Sequence, residues 1–124
     1  MCIRDSGTRD RLQKYNHSDG DFLSTIESVN YWAKYNQLDI KVVENIEDFH
    51  KKDGTTVEKH TYSKNNSNTQ VIHFKVVKGG HLWLGSPIAD WLILRLFFGR
   101  NNHEINSSKE IVDFFLKYKL SDFN

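Results

Sequence analysis

The segment "QVIHFKVVKGG", residues 70–80, constrains the fold more than any other part of this chain. It is rich in β-branched residues and carries a phenylalanine, the composition of a strand. Side chains alternate along a strand, so Ile72, Phe74 and Val76 share one face while Val71, His73, Lys75 and Val77 share the other. Both faces carry apolar residues. Such a strand needs cover on both sides, which places it inside a sheet between two layers. Gly79 and Gly80 then interrupt the pattern, and "HLWLGSP" follows.

Its partner is the run "TTVEKHTY", residues 55–62. Between the two lies "KNNSN", whose Asn and Ser residues favour turns by bonding their own backbone. A hairpin is therefore expected over 55–77, and Val42–Val43 reads as a further short strand. Two helices flank these strands. Ser24 with Glu27 forms a capping-box pattern, and Ile26, Val29, Trp32, Ala33 and Leu38 recur at roughly helical spacing before a stop near Asn36. Ser107 with Glu110 repeats the box, and Ile111, Phe114, Phe115 and Tyr118 form an apolar stripe behind it. Between hairpin and last helix, residues 87–98 are apolar nearly all round. Ser86 is expected to cap that segment, with Pro87 at its first helical position, and the segment is expected to be buried or to cover a pocket. Helices flanking a doubly covered strand place the chain in the α/β class.

Bulk properties exclude several functions. Among 124 residues the net charge is +1, and no Lys/Arg cluster with interleaved aromatics appears, so no nucleic-acid partner is expected. The longest apolar stretch, "PIADWLILRLFF", carries Asp90 and Arg95 and is shorter than the ~20 residues of a membrane span. Cys2 is the one cysteine, so no internal disulfide forms. No signal-peptide pattern opens the chain. "MCIRDS" reads instead as a translated sequencing adapter, so residues 1–5 are expected to be a non-native leader and residues 6–124 the protein proper.

His81 leads the candidates for chemistry. Functional groups of open α/β sheets gather outside the carboxyl ends of strands, and a histidine there can act as a general base near neutral pH. Glycines at 79 and 80 permit a sharp turn that swings it back over the strand end. The alternative is a loop histidine without a role, the glycines merely ending a strand. Asp10, in "GTRD", reads by itself as a turn or capping aspartate. His17, His50, His60, His73 and His103 fall in no zinc pattern, and "NHSDGD" at 16–21 fails the calcium-loop pattern because Tyr15 and His17 stand where ligands belong. The chain holds no G-x-G-x-x-G, P-loop or G-x-S-x-G.

Taken in order, "SGTRDRLQKYN", "STIESVNYWAKYN", "DGTTVEKHTY", "VIHFKVVKGGHLWLG" and "EINSSKEIVDFF" resemble the polyhydroxybutyrate-depolymerase-like esterases, a family of the α/β-hydrolase superfamily with feruloyl- and acetylxylan-esterase relatives. The glycine-histidine-x-tryptophan run is the most specific element, and the G-T-x-D turn is next. Departures occur at Leu84, where the family has proline, at Ser6, where it has histidine, and at Leu38, where it has cysteine. Residues 88–98 match no part of the family.

The resemblance implies a C-terminal portion of an α/β-hydrolase sheet, the last strands plus two flanking helices, in an incomplete domain. It implies Asp10 as the triad acid after a strand upstream of this chain, His81 as the triad base after the last strand, and Trp83 as a wall of the substrate pocket. No cofactor and no metal are implied. The partner is an ester substrate, a polyester or an esterified polysaccharide, met outside the cell or in the periplasm. The serine nucleophile and oxyanion donors would lie upstream, so the chain alone is expected to be inactive and "VIHFKVV" to expose an unpaired apolar edge. The acid and base should lie about 2.6–3.2 Å apart. Two other classes stay open: a carbohydrate- or polymer-binding module built on Trp83 and Trp91, and a peptidase of the same superfamily.

Overall fold

The computed structural model describes residues 2–18, 20, 22–87 and 91–118. Seven elements are present among them: β1 (Cys2–Gly7), α1 (Thr25–Tyr35), β2 (Ile40–Asn45), β3 (Thr56–Ser63), β4 (Val71–Val77), α2 (Leu92–Phe98) and α3 (Ser107–Leu116). The strands form one sheet in the order β1-β4-β3-β2. β2, β3 and β4 make an antiparallel meander, and β1 adds to β4 in parallel. Three helices and a mixed sheet place the chain in the general α/β class.

The alternation along β4 sets the two layers. On one face Phe74 and Val76 pack with Val57, Leu84 and Ile105 into the apolar core, with Ile3, Ile46 and Ile72 at its margin. Burying each such side chain contributes about 1.5–3 kcal/mol. α3 lies on this side: Ser107, its first residue, hydrogen-bonds the Asp5 carboxylate on β1, and Phe114 is buried. On the opposite face α1 lies over β4, with Val29 and Ala33 buried and the Tyr15 ring stacked on His73 at 5.8 Å.

β4 is therefore not an exposed edge. β1 and β3 pair with it on either side, which corrects the expectation of an unpaired apolar strand. The strand preceding Asp10, expected upstream of the chain, is β1 itself. The segment read as a leader contributes Cys2–Asp5 to it, with Ile3 set beside Ile72.

α1 is built as its sequence requires. Ser24 accepts from the Glu27 amide at 3.2 Å, and the Glu27 carboxylate accepts from the Ser24 amide at 2.9 Å. Hydrogen bonds from Ser18 and Ser24 hold the Glu27 carboxyl down at about 2. Asn36 closes the helix. α3 differs by one position: its cap is Asn106, whose side chain accepts from the Lys109 amide at 3.0 Å, because Ser107 is engaged with Asp5. Its stripe is half covered, with Phe114 buried and Phe115 exposed.

The apolar segment differs most. α2 starts at Leu92 behind Trp91, which makes no side-chain cap bond. Trp91, Leu92, Ile93, Leu96 and Phe97 are all exposed, so the segment is not buried, and apolar composition alone did not fix its cover. Its residues 88–90, and Asp19 and Asp21 of "NHSDGD", lie outside the described residues. Among the described residues no helix is long and apolar enough to cross a membrane.

The face under α1 contains a chain of polar groups. Lys75 Nζ donates to Glu58 at 3.0 Å, Glu58 meets His60 Nε2 at 2.9 Å, and the His60 ring packs edge-on to His73 at 5.6 Å. His73 is fully buried, and neither ring nitrogen has a hydrogen-bond partner among the described residues. Burial, with the neighbouring His60 ring and the cations Arg4, Lys41 and Lys75, pushes its pKa down to about 3. The folded state thus keeps His73 neutral where the unfolded chain protonates it. The unfolded state binds more protons between the unfolded value near 6.5 and about 3, so this contribution to stability is complete above pH ~6.5 and is lost as pH falls through that window. Thermal unfolding from pH 7 to pH 4 should show a falling midpoint, and His73→Leu should flatten that fall. An unchanged slope in the variant would assign the acid sensitivity to other groups.

Candidate functional site

β1 and β4 run parallel, so both carboxyl ends lie at the same edge of the sheet. The chain leaving β1 carries Asp10, and the chain leaving β4 carries His81. The two exits are joined directly. Thr8 N donates to Val76 O at 2.9 Å, Arg9 N donates to Gly79 O at 2.9 Å, and Lys78 N donates to the Thr8 hydroxyl at 2.8 Å. Thr8 is the residue that sequence reasoning missed. Its signal, a threonine immediately before the turn aspartate, lay inside the quoted motif.

The glycines serve a purpose other than the one expected. Lys78, not Gly79 or Gly80, takes the positive φ of 63° that turns the chain. The glycines are required by proximity. A Cβ on Gly80 would lie 1.9 Å from Phe98 O, and one on Gly7 would lie 2.4 Å from the Gly79 and Gly80 carbonyl groups. Three backbones meet here with no room for side chains. Behind the loop, Phe98 O accepts from His81 N at 2.7 Å and Arg100 O accepts from Gly80 N at 2.9 Å.

These contacts place the His81 Nδ1 atom 2.7 Å from Asp10 Oδ2. The Asp10 carboxylate is nearly buried, its side chain 7% exposed, whereas that of His81 is 49% exposed. The other carboxylate oxygen, Oδ1, accepts from the amides of Leu12 and Gln13, both at 2.8 Å. Asp10 is thus a turn aspartate and an imidazole partner at once, and its turn bonds fix the orientation of the oxygen that meets His81. A carboxylate can only accept, so Nδ1 donates and the neutral ring carries its lone pair on Nε2. No hydrogen bond from a described residue reaches Nε2.

Asp10 and His81 border an open cleft of about 340 Å³, together with Ser6, Gln13 and Trp83. Trp83 is half-exposed at the rim, and its indole N–H donates to the Ser108 hydroxyl at 3.0 Å in the first turn of α3. All three site residues singled out from the sequence therefore meet at one place. Leu84, at the position where proline was the family's residue, is buried in the core at 2% exposure. Ser6 also borders the cleft, but its hydroxyl donates to Asp5 O at 2.5 Å and accepts from Arg4 Nε at 3.2 Å. Among the described residues no three His, Cys, Asp or Glu side chains converge as metal ligands.

Chemically, the arrangement is a base with a fixed tautomer, an oriented carboxylate behind it and a solvent-open face. It can accept a proton at Nε2 and return it. Comparison with protein-family models, curated proteins and solved structures gives no match.

The packing of Gly80 gives a direct test. Gly80→Ala forces Phe98 O away from the loop and should break the His81 amide bond to it. The downfield Nδ1 proton resonance of His81 should broaden or vanish in the variant, while the amide resonances of α1 stay in place. A preserved resonance would show that the Asp10–His81 pair does not depend on this glycine contact.

Proposed function

We propose that Asp10 and His81 are the acid and base of a serine carboxylic-ester hydrolase of the polyhydroxybutyrate-depolymerase-like type, built on the α/β-hydrolase plan. The nucleophilic serine and its oxyanion donors belong to sequence N-terminal to this chain. The observation that carries the reading is the 2.7 Å contact between Asp10 Oδ2 and His81 Nδ1 at the carboxyl ends of adjacent parallel strands. The order of residues agrees with it, an aspartate after one strand and a histidine after the last.

In this reading His81 Nε2 takes the serine proton as the hydroxyl attacks the ester carbonyl. Asp10 holds the ring in its working tautomer and stabilises the imidazolium that forms. His81 then protonates the departing alkoxide, leaving an acyl-enzyme. In the second half it takes a proton from the water that attacks the acyl group, then returns that proton to the serine oxygen as the acyl–serine bond breaks and the acid leaves. Trp83 borders the substrate, an ester of a polyester or of a polysaccharide substituent. No cofactor enters this chemistry. Extracellular or periplasmic action follows from the family resemblance.

The 124-residue chain alone has no serine hydroxyl bonded to the His81 ring among its described residues and should not turn over p-nitrophenyl esters. The gene should read in frame, upstream, through a G-x-S-x-G. In the longer protein, Asp10→Asn should lower kcat by roughly 10⁴-fold and His81→Ala by roughly 10⁶-fold, each with little change in KM. Retention of activity in His81→Ala would refute the assignment. Cleavage of peptide amides in preference to esters would move the protein to the peptidases. Polymer binding without turnover would favour the module built on Trp83 and Trp91, whose rings are both exposed.

A further inference from the structure

A second cleft, of about 510 Å³, lies between residues 49–53 and 95–103. Its wall includes His50, Lys51, Lys52, Arg95, Arg100 and His103, with one carboxylate, Asp53. Four of these are permanent cations in a protein whose net charge is +1. No carboxylate of a described residue pairs with Lys51, Lys52, Arg95 or Arg100.

The two nearby acids are turned to other tasks. Asp53 accepts from the Thr55 amide at 2.8 Å, from the Thr55 hydroxyl at 2.7 Å and from the His103 amide at 3.3 Å. Glu104 is buried, 1% exposed, accepts from the His50 amide at 2.9 Å and from Asn102, and lies 3.4 Å from His50 Nδ1. Asp53 lines the cleft with its oxygens engaged by Thr55 and His103, Glu104 braces the 49–50 loop, and neither acid forms an ion pair with any of the four cations. Arg100 is the most constrained of the four. Its Nη1 donates to Gly54 O at 3.1 Å, so close to the backbone that a Cβ on Gly54 would lie 2.2 Å from that nitrogen. The guanidinium is therefore held in place by a neutral carbonyl with its charge uncompensated. Guanidinium groups fixed in this way suit planar, bidentate recognition of oxyanions. Phe49, exposed at the same wall, offers an apolar surface beside the charges.

The geometry points to this cleft as a binding site for a small multivalent oxyanion, a phosphate or polycarboxylate head group, seated among Lys51, Lys52, Arg95 and Arg100. The size suits a small-molecule ligand, and four cations against the single carboxylate of Asp53 leave an excess of positive charge that a multivalent anion relieves. The site is independent of the ester-hydrolase reading, because its residues and its readout are separate from Asp10 and His81.

The test is a titration of the ¹⁵N-labelled 124-residue chain with inorganic phosphate and, separately, with citrate, against sodium chloride at matched ionic strength. Saturable amide shifts confined to residues 50–54 and 95–103 are expected with at least one of the two anions. The anion that saturates at the lower concentration identifies the head group. In the triple variant Lys51→Gln, Lys52→Gln, Arg95→Gln, whose three side chains are exposed, the midpoint should rise at least about tenfold through loss of charge-assisted bonds, with the unfolding midpoint unchanged. Linear shifts equal to those in chloride, saturation elsewhere on the surface, or an unchanged midpoint in the triple variant would each overturn the proposal.

Discussion

The structure depends on a place where three backbones touch without side chains. Gly7 at the end of β1 meets Gly79 and Gly80 beyond β4, and Gly80 in turn meets Phe98 and Gly99. Parallel strands hold their ends side by side only as closely as the chains leaving them permit. Here the exits are close enough for Thr8 and Arg9 to bond the neighbouring loop. The 2.7 Å contact of Asp10 with His81 follows from that approach. Rotamer choice alone could not produce it, since a carbonyl displaced by an added methyl would carry His81 with it.

Much of this was legible in the residues. The two-faced pattern of "VIHFKVV" forecast a covered central strand, and both layers are there. The Ser24–Glu27 box placed a helix start correctly because it satisfies two backbone amides locally. His81 and Asp10 were legible through the order of motifs, not through either motif alone. Where reading failed, a distant residue decided. Ser107 could cap α3 by local rules, but Asp5 on β1 engages it and Asn106 takes the cap. The glycines at 79 and 80 read as a turn device, whereas the turn itself falls on Lys78 and the glycines answer to Phe98 and Gly7. The cationic cleft was invisible because Lys51 and Lys52 precede β3 whereas Arg95 and Arg100 follow β4.

One ribbon connects the linings of the two clefts, which have no residue in common. Residues 98–100 bond Gly80 and His81 through their carbonyl oxygens, while the Arg100 side chain reaches Gly54. The ribbon that holds the imidazole in place also carries a fixed positive charge. Its glycine, Gly99 with φ 93°, allows the backbone to serve both sides.

The pairing of β1 with β4 also has a kinetic meaning. The meander β2-β3-β4 closes through short loops and can form early. The β1–β4 contact must join segments far apart in the chain, and Asp10 and His81 are themselves 71 residues apart. Contacts of such long range are entropically the slowest to close. Asp10 and His81 are therefore expected to meet only after the meander has formed, and their contact to be absent from a partly folded chain. The Asp10–His81 contact is thus expected to form late, coupled to completion of the fold itself.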